Sequence, residues 1–265
     1  MSTRLRRTDL DTSVAASLDA SARLLPYLSR LLEGVEALGS SPRRVVNWLR
    51  EAGIESRHVV LDLGCGKGAV SVALARRLGC RVRGVDGLEA FIHHARSMAV
   101  REGVADKCEF RRGDVGSRLW PLADAVIMLG VLEITESLAL ARSRVRQGGV
   151  YIIDDAVALE RSRPTHPRPD GHRPTRRGVR SLIEDLGDTI LREHVMSPAA
   201  YRAYERRIFA SISKAARTLV MEHPELSEEI QVFLANQRRS GSSLWRGPWR
   251  GATWMVRRSC AWRRR

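Results

Sequence analysis

Val59-Val60-Leu61-Asp62-Leu63-Gly64-Cys65-Gly66-Lys67-Gly68-Ala69-Val70 decides the fold. An apolar, β-branched run ends near an acid, glycines follow at alternate positions, and a helix-forming segment begins. The pattern predicts a strand, a tight turn and a helix start. Glycines allow backbone conformations that a Cβ forbids and let a ligand approach closely. The helix start behind them points free N–H groups at that ligand. Chains build this arrangement to hold a nucleoside-containing cofactor.

Two cofactor classes compete. Gly64-Cys65-Gly66-Lys67-Gly68-Ala69 satisfies G-x-G-x-x-A, a form of the dinucleotide fingerprint. Asp86, in Gly84-Val85-Asp86, stands about twenty residues further on, where a ribose-binding acid belongs. Asp62 argues against a pyrophosphate, because a carboxylate beside it costs Coulomb energy. A cofactor with an amino group or a sulfonium tolerates that acid. Cys108-Glu109-Phe110-Arg111-Arg112-Gly113-Asp114-Val115 reads as a further strand ending in Gly-Asp-Val, and a carboxylate there is placed to accept from an adenine amino group. Strands over Ala123 to Leu129 and Gly149 to Asp154 follow, the second after a Gln147-Gly148-Gly149 turn.

These residues, in this order, resemble the class I S-adenosylmethionine-dependent methyltransferases of the small-molecule type. The resemblance covers Val59 to Asp155 well. It implies that Asp62, Gly64, Cys65, Gly66 and Gly68 wrap the methionine part of S-adenosyl-L-methionine. It implies that Asp86 binds the ribose, with Gly87 beside it and Leu88 packed on the adenine. Asp114 then holds the adenine amino group, with Val115 adjacent, and Leu129 and Gly130 line the methyl-transfer side. Each residue has a plainer reading as well. Asp86 can cap the next helix, Asp114 can be a turn aspartate, and Cys65 reads as a small packing residue.

The expected fold is α/β: a Rossmann-like, seven-stranded, mostly parallel sheet with an antiparallel last strand and helices on both faces. Residues 1–265 are expected as one methyltransferase domain. Its parts are an N-terminal helical segment (1–57), a cofactor-binding core (58–156), a flexible loop (157–174) and a C-terminal part (175–258) with a helical insertion at 197–240. Met1 to Thr12 reads as disordered. A helix is expected through Leu18, Leu24, Leu25, Leu28, Leu31 and Leu32. Ser41-Pro42 and Ser197-Pro198 are helix starts, serine capping and proline at the first helical position. Pro224 opens a further helix to about Arg239, and strands are expected over Thr189 to Met196 and Ala252 to Val256. The N-terminal helices and the insertion, with Tyr201 and Tyr204, are candidate covers. So is Arg161 to Pro174, which carries His166 and His172 and too many prolines for a helix.

Composition narrows the function. The net charge is +15, yet Lys67, Lys107 and Lys214 are the only lysines among 45 basic residues. No aromatic-interleaved basic patch accompanies that excess. RNA is therefore the alternative acceptor, behind a small molecule. A non-catalytic cofactor-binding protein is the second alternative. No run reaches the roughly 18 apolar residues of a membrane span. Cys65, Cys80, Cys108 and Cys260 have no metal-ligand spacing, and His93 and His94, as helix neighbours, point apart, so no metal is expected. A reduced, cytoplasmic setting fits. No catalytic residue is assigned, since the cofactor supplies the electrophile. The Asn/Asp-Pro-Pro-Tyr/Phe and Pro-Cys segments of DNA-methylating enzymes are absent.

Overall fold

The computed structural model describes residues 7–35, 41–117, 119–158, 174–247 and 249–260. Two compact units divide the chain: Met1–Glu36 with Ser197–Gly247, and Ala37–Met196 with Pro248–Arg265.

The second unit is built on a seven-stranded sheet in the order β3-β2-β1-β4-β5-β7-β6. Its strands are β1 (Val59–Leu63), β2 (Arg81–Asp86), β3 (Cys108–Arg112), β4 (Ala123–Leu129), β5 (Val145–Ala158), β6 (Thr189–Val195) and β7 (Trp249–Arg257). β7 runs antiparallel to both β5 and β6, and the other pairings are parallel. The expected fold class is the observed one. The strand order reverses between β1 and β4, and an open α/β sheet binds its ligand in the crevice outside such a switch point.

Strands covered on both faces read as unbroken apolar runs. Ala125 to Met128 show this, all fully buried. One face carries α3 (Pro42–Glu51), α4 (Ala69–Leu78) and α5 (Glu89–Arg101), which seat Val45, Leu49, Leu74 and Ile92 against Val60, Ile127, Ile152 and Met255. The other carries α6 (Ile134–Arg144) and α7 (Arg176–Asp185), which seat Leu138 and Ile183 against Leu63, Met128, Tyr151 and Trp254. Tyr151 and Arg142 both donate to the buried carboxylate of Asp188, fixing α6 to the start of β6.

The first unit contains α1 (Arg7–Ser17), a 3-10 turn (Ala22–Tyr27), α2 (Leu28–Leu31), α8 (Pro198–Glu222) and α9 (Ser227–Arg246). Its interior includes Leu24, Leu28, Leu31, Ile212, Leu219, Ile230 and Phe233.

Several expectations need correction. Arg7 to Thr12 are helical, the start of α1, and not a disordered arm. The expected helix from Leu18 to Leu32 is a 3-10 turn and one short α-turn, because Pro26 lies inside it and cannot donate to an α-helical ladder. Pro224 opens a 3-10 turn, Pro224–Leu226, before α9, which runs on to Arg246. The Gln147-Gly148-Gly149 turn lies within β5: Val145 pairs with Ala123 and Val150 with Ala125, so the residues between bulge out. The part of the proline-rich segment from 161 to 173, with His166 and His172, lies outside the described residues.

Candidate functional site

The turn after β1 is tied to the next strand. The Gly64 and Cys65 amides both donate to the Val85 carbonyl, at 2.8 and 2.9 Å. Two glycines then serve different ends. Gly66 has φ +52, and a Cβ there meets nothing within 4 Å, so its face opens to space. Gly68, at φ +84, caps α4, and a Cβ there lies 2.8 Å from that of Ala95 on α5. The first is shaped for a ligand and the second for packing. Cys65 is a buried packing residue, as read from the sequence, with its thiol close against Gly84.

Two acids bracket this turn. Asp62 is buried, and the Ser71 hydroxyl of α4 donates to its Oδ2 at 2.6 Å. Burial pushes its pKa up to about 6; Ser71 opposes the rise and the nearby charge of Asp86 adds to it. Asp86 accepts from the Gly66 amide through Oδ2 and the Leu88 amide through Oδ1, both at 2.9 Å. Burial raises its pKa too, against the pull of those amides and that of Gly87. Leu88, buried, is itself the N-cap of α5, so Asp86 is not that helix's cap. Two partly desolvated carboxylates therefore face one open turn, an arrangement that favours a cation and hydroxyl donors.

The ends of β2 and β3 are stitched together. The Gly113 amide donates to the Asp86 carbonyl, and Arg112 Nε donates to the Gly87 carbonyl. Asp114 thereby stands beside Asp86 and Gly87. It also makes the turn bond of its plainer reading, accepting from the Gly116 amide through Oδ1 at 2.8 Å. Val115 is half-buried against the sheet. Sequence reasoning missed Trp120, whose indole N–H donates to the Asp114 carbonyl and whose ring lies against Gly113. Its signal was an aromatic side chain six residues after an acid that ends a strand.

Leu129 ends β4, and the exposed Gly130 follows at φ +65. Pairing extends this point into a row across the sheet: Leu129 opposite Asp154, Asp154 opposite Thr253, Thr253 opposite His194. Paired residues share a face, and Leu129 belongs with the core cluster of the α3 face. Arg44 of α3 reaches this row and donates to His194 Nε2 at 2.8 Å. Guanidinium cannot accept, so the ring proton sits on Nδ1 and the imidazole is neutral. Burial and the Arg44 charge both push the His194 pKa down. Arg44 and His194 were not foreseen: they lie 150 residues apart, and no local pattern joins them.

Among the described residues no group of three or more His, Cys, Asp or Glu side chains is arranged to hold a metal ion. No helix among them is long and apolar enough to cross a membrane.

Comparison with known proteins agrees with this geometry. Residues 60–149 match the methyltransferase domain family. A geranyl diphosphate 2-C-methyltransferase of Saccharopolyspora erythraea is 38% identical over 60 residues, 23% of this chain and 21% of that protein. A sterol 24-C-methyltransferase of Eremothecium gossypii is 28% identical over 148 residues, 53% of this chain and 39% of that protein. The matches thus span well under half of these relatives. An S-adenosylmethionine-dependent methyltransferase of Thiobacillus denitrificans, solved with S-adenosyl-L-homocysteine, superposes with a TM-score of 0.69 at 17% identity, over 87% of this chain and 97% of that one. That likeness shows the fold.

Proposed function

We propose that this chain, which carries a methyltransferase domain over residues 60–149, transfers a methyl group from S-adenosyl-L-methionine to a small-molecule acceptor. The observation that carries the reading is the pair Asp62 and Asp86, both raised in pKa, on either side of an open glycine turn. The residues present fit this cofactor. Asp62 and the turn at Gly64, Cys65, Gly66 and Gly68 suit a methionine part with its cationic amino group. Asp86 keeps lone-pair capacity for a ribose hydroxyl beyond the amides it accepts from. Asp114, with Val115 adjacent, offers its second oxygen to an adenine amino group. Leu88 and Gly87 give that ring an apolar wall. When bound, the cofactor supplies an electrophilic methyl group on a sulfonium.

The chain itself supplies position. Leu129 and Gly130 end β4 beside the glycine turn and form the methyl-transfer side. Holding donor and acceptor aligned there is worth effective molarities of roughly 10⁵ to 10⁸ M. His194 is a poor general base, because its free lone pair is already spent on Arg44 and a proton on it would face that cation. Asp154 is the acid of the row nearest Leu129. The small-molecule class follows the named activities of the curated relatives, which act on geranyl diphosphate and sterols. A cytoplasmic setting is in keeping with four cysteines that all stand as free thiols.

Calorimetric titration with S-adenosylhomocysteine, with NAD as control, tests the reading. Binding of the former alone is expected; binding of NAD alone would overturn it. Substituting Asp86→Ala should weaken S-adenosylhomocysteine by about 1–3 kcal/mol, the worth of charge-assisted hydrogen bonds. Unchanged affinity in that variant removes the ribose assignment.

A further inference from the structure

We propose that Arg44 anchors an anionic group, a carboxylate or a phosphate, at the far end of the methyl acceptor. The inference rests on the methyl-transfer reading for the position of the reacting end. The Arg44 guanidinium presents five N–H donors, and one of them donates to His194. Asp154 is near enough to favour the Arg44 charge. Burial works against that same charge. A half-buried guanidinium with most of its donors unspent by the protein is placed to donate to a ligand.

A groove of about 340 Å³ adjoins it, lined by Ser41, Arg43, Arg44, Asn47, Trp48 and Glu51. Its charges and donors favour an anion. Glu51, its one acid, is answered from outside by Arg192 of β6 at 3.0 Å. Arg50 donates to Asn47 Oδ1, which leaves the Asn47 side-chain N–H groups to donate. Arg43 is exposed beside them, and Trp48 supplies a flat apolar surface packed on the core. The Ser41 hydroxyl makes no capping bond to α3.

The spacing suits a small molecule. His194 lies three strands from Leu129, about 14 Å at ordinary strand separation. Arg44 bonds to the first and is in electrostatic reach of Asp154 beside the second, so it stands between them. An acceptor about 10 Å long would hold its anion at Arg44 and its nucleophile at the end of β4. Binding energy from that remote group would then serve alignment at the reacting end. His194 is a positioning residue here: its neutral Nε2 accepts from Arg44 and aims the remaining N–H donors.

The test is calorimetry on the full chain with inorganic phosphate and, separately, with acetate, in the presence and absence of S-adenosylhomocysteine. Wild type, Arg44→Gln, Arg44→Lys and a surface control, Arg57→Gln, are compared. We expect at least one anion to bind wild type and the control alike. Arg44→Gln should weaken it about tenfold or more, with Arg44→Lys between. The two anions separate a phosphate from a carboxylate acceptor. In parallel, the His194 ring resonances should move on anion addition in wild type and not in Arg44→Gln. Absence of binding by both anions overturns the proposal, as does equal affinity in wild type and Arg44→Gln. Loss of the methyl-transfer reading shows separately, as failure to bind S-adenosylhomocysteine.

Discussion

At the residue scale, Asp62 is the side chain whose role and cost can both be worked out. Its native pKa of about 6 lies above the 3.8 of an ordinary aspartate, so the folded chain holds that proton more tightly than the unfolded one. Ionisation therefore lowers stability. The penalty is absent below about pH 4, grows as pH rises towards 6, and is complete above it, at about 3 kcal/mol. Asp62→Asn should accordingly raise the denaturation midpoint of the ligand-free chain near pH 7 and change it little near pH 4. A cationic amino group beside the carboxylate reverses the balance, so S-adenosylhomocysteine should bind more tightly as pH rises through 6 and then level off. A flat affinity profile across that range, read by calorimetry, would separate Asp62 from the ligand's cation. The sequence disclosed this acid because a carboxylate ahead of a glycine turn disfavours a pyrophosphate and tolerates a cationic ligand. It did not disclose Arg44 and His194, whose meaning comes only from strand pairing across the sheet.

Elements tell a similar story with different evidence. Apolar runs ending in glycine turns predicted β1 and β4 closely, since both are central strands covered on both faces and their pattern is local. Ser197 behaves as the sequence demanded, accepting from the Ala200 amide at 3.2 Å ahead of Pro198. Ser41 starts α3 without such a bond, so there the proline sets the boundary. The leucine-rich segment before it misled, because leucine spacing survives in a 3-10 turn while Pro26 forbids the α-helix. The glycine turn supplies the sharpest test at this scale. Gly68→Ala combines a left-handed backbone with a Cβ 2.8 Å from Ala95, and should cost about 2–4 kcal/mol of stability. Gly66→Ala meets open space and should cost only about 1–2 kcal/mol. Yet its methyl group enters the crevice, so S-adenosylhomocysteine should bind at least about tenfold more weakly to a chain that still folds. Thermal denaturation beside calorimetry reads the two effects apart. A Gly66→Ala chain with wild-type affinity would remove that turn from the cofactor site.

For the whole molecule, the sequence showed the sheet and its helical insertion but hid how the first unit is assembled. The N-terminal helices and the insertion read as two separate additions. They are one packed body: α2 lies on α8, Gln237 of α9 donates to the Leu18 carbonyl, and Arg23 pairs with Glu229. Contacts across some two hundred residues leave no periodic trace in a single chain. They have a physical consequence. α8 and α9 bury Ile212, Leu219, Ile230 and Phe233 in a unit whose interior also takes Leu24, Leu28 and Leu31 from the N-terminal segment. Each apolar side chain of this size contributes about 1.5–3 kcal/mol when fully buried. Deleting residues 1–36 should therefore expose an apolar face on α8 and α9 and loosen both helices. Amide hydrogen exchange should show lost protection along 212–233, while β1, β4 and β5, which belong to the other unit, keep theirs. Full protection of α8 in the truncated chain would mean that the helical pair holds its own core, and that the N-terminal segment merely rests on it.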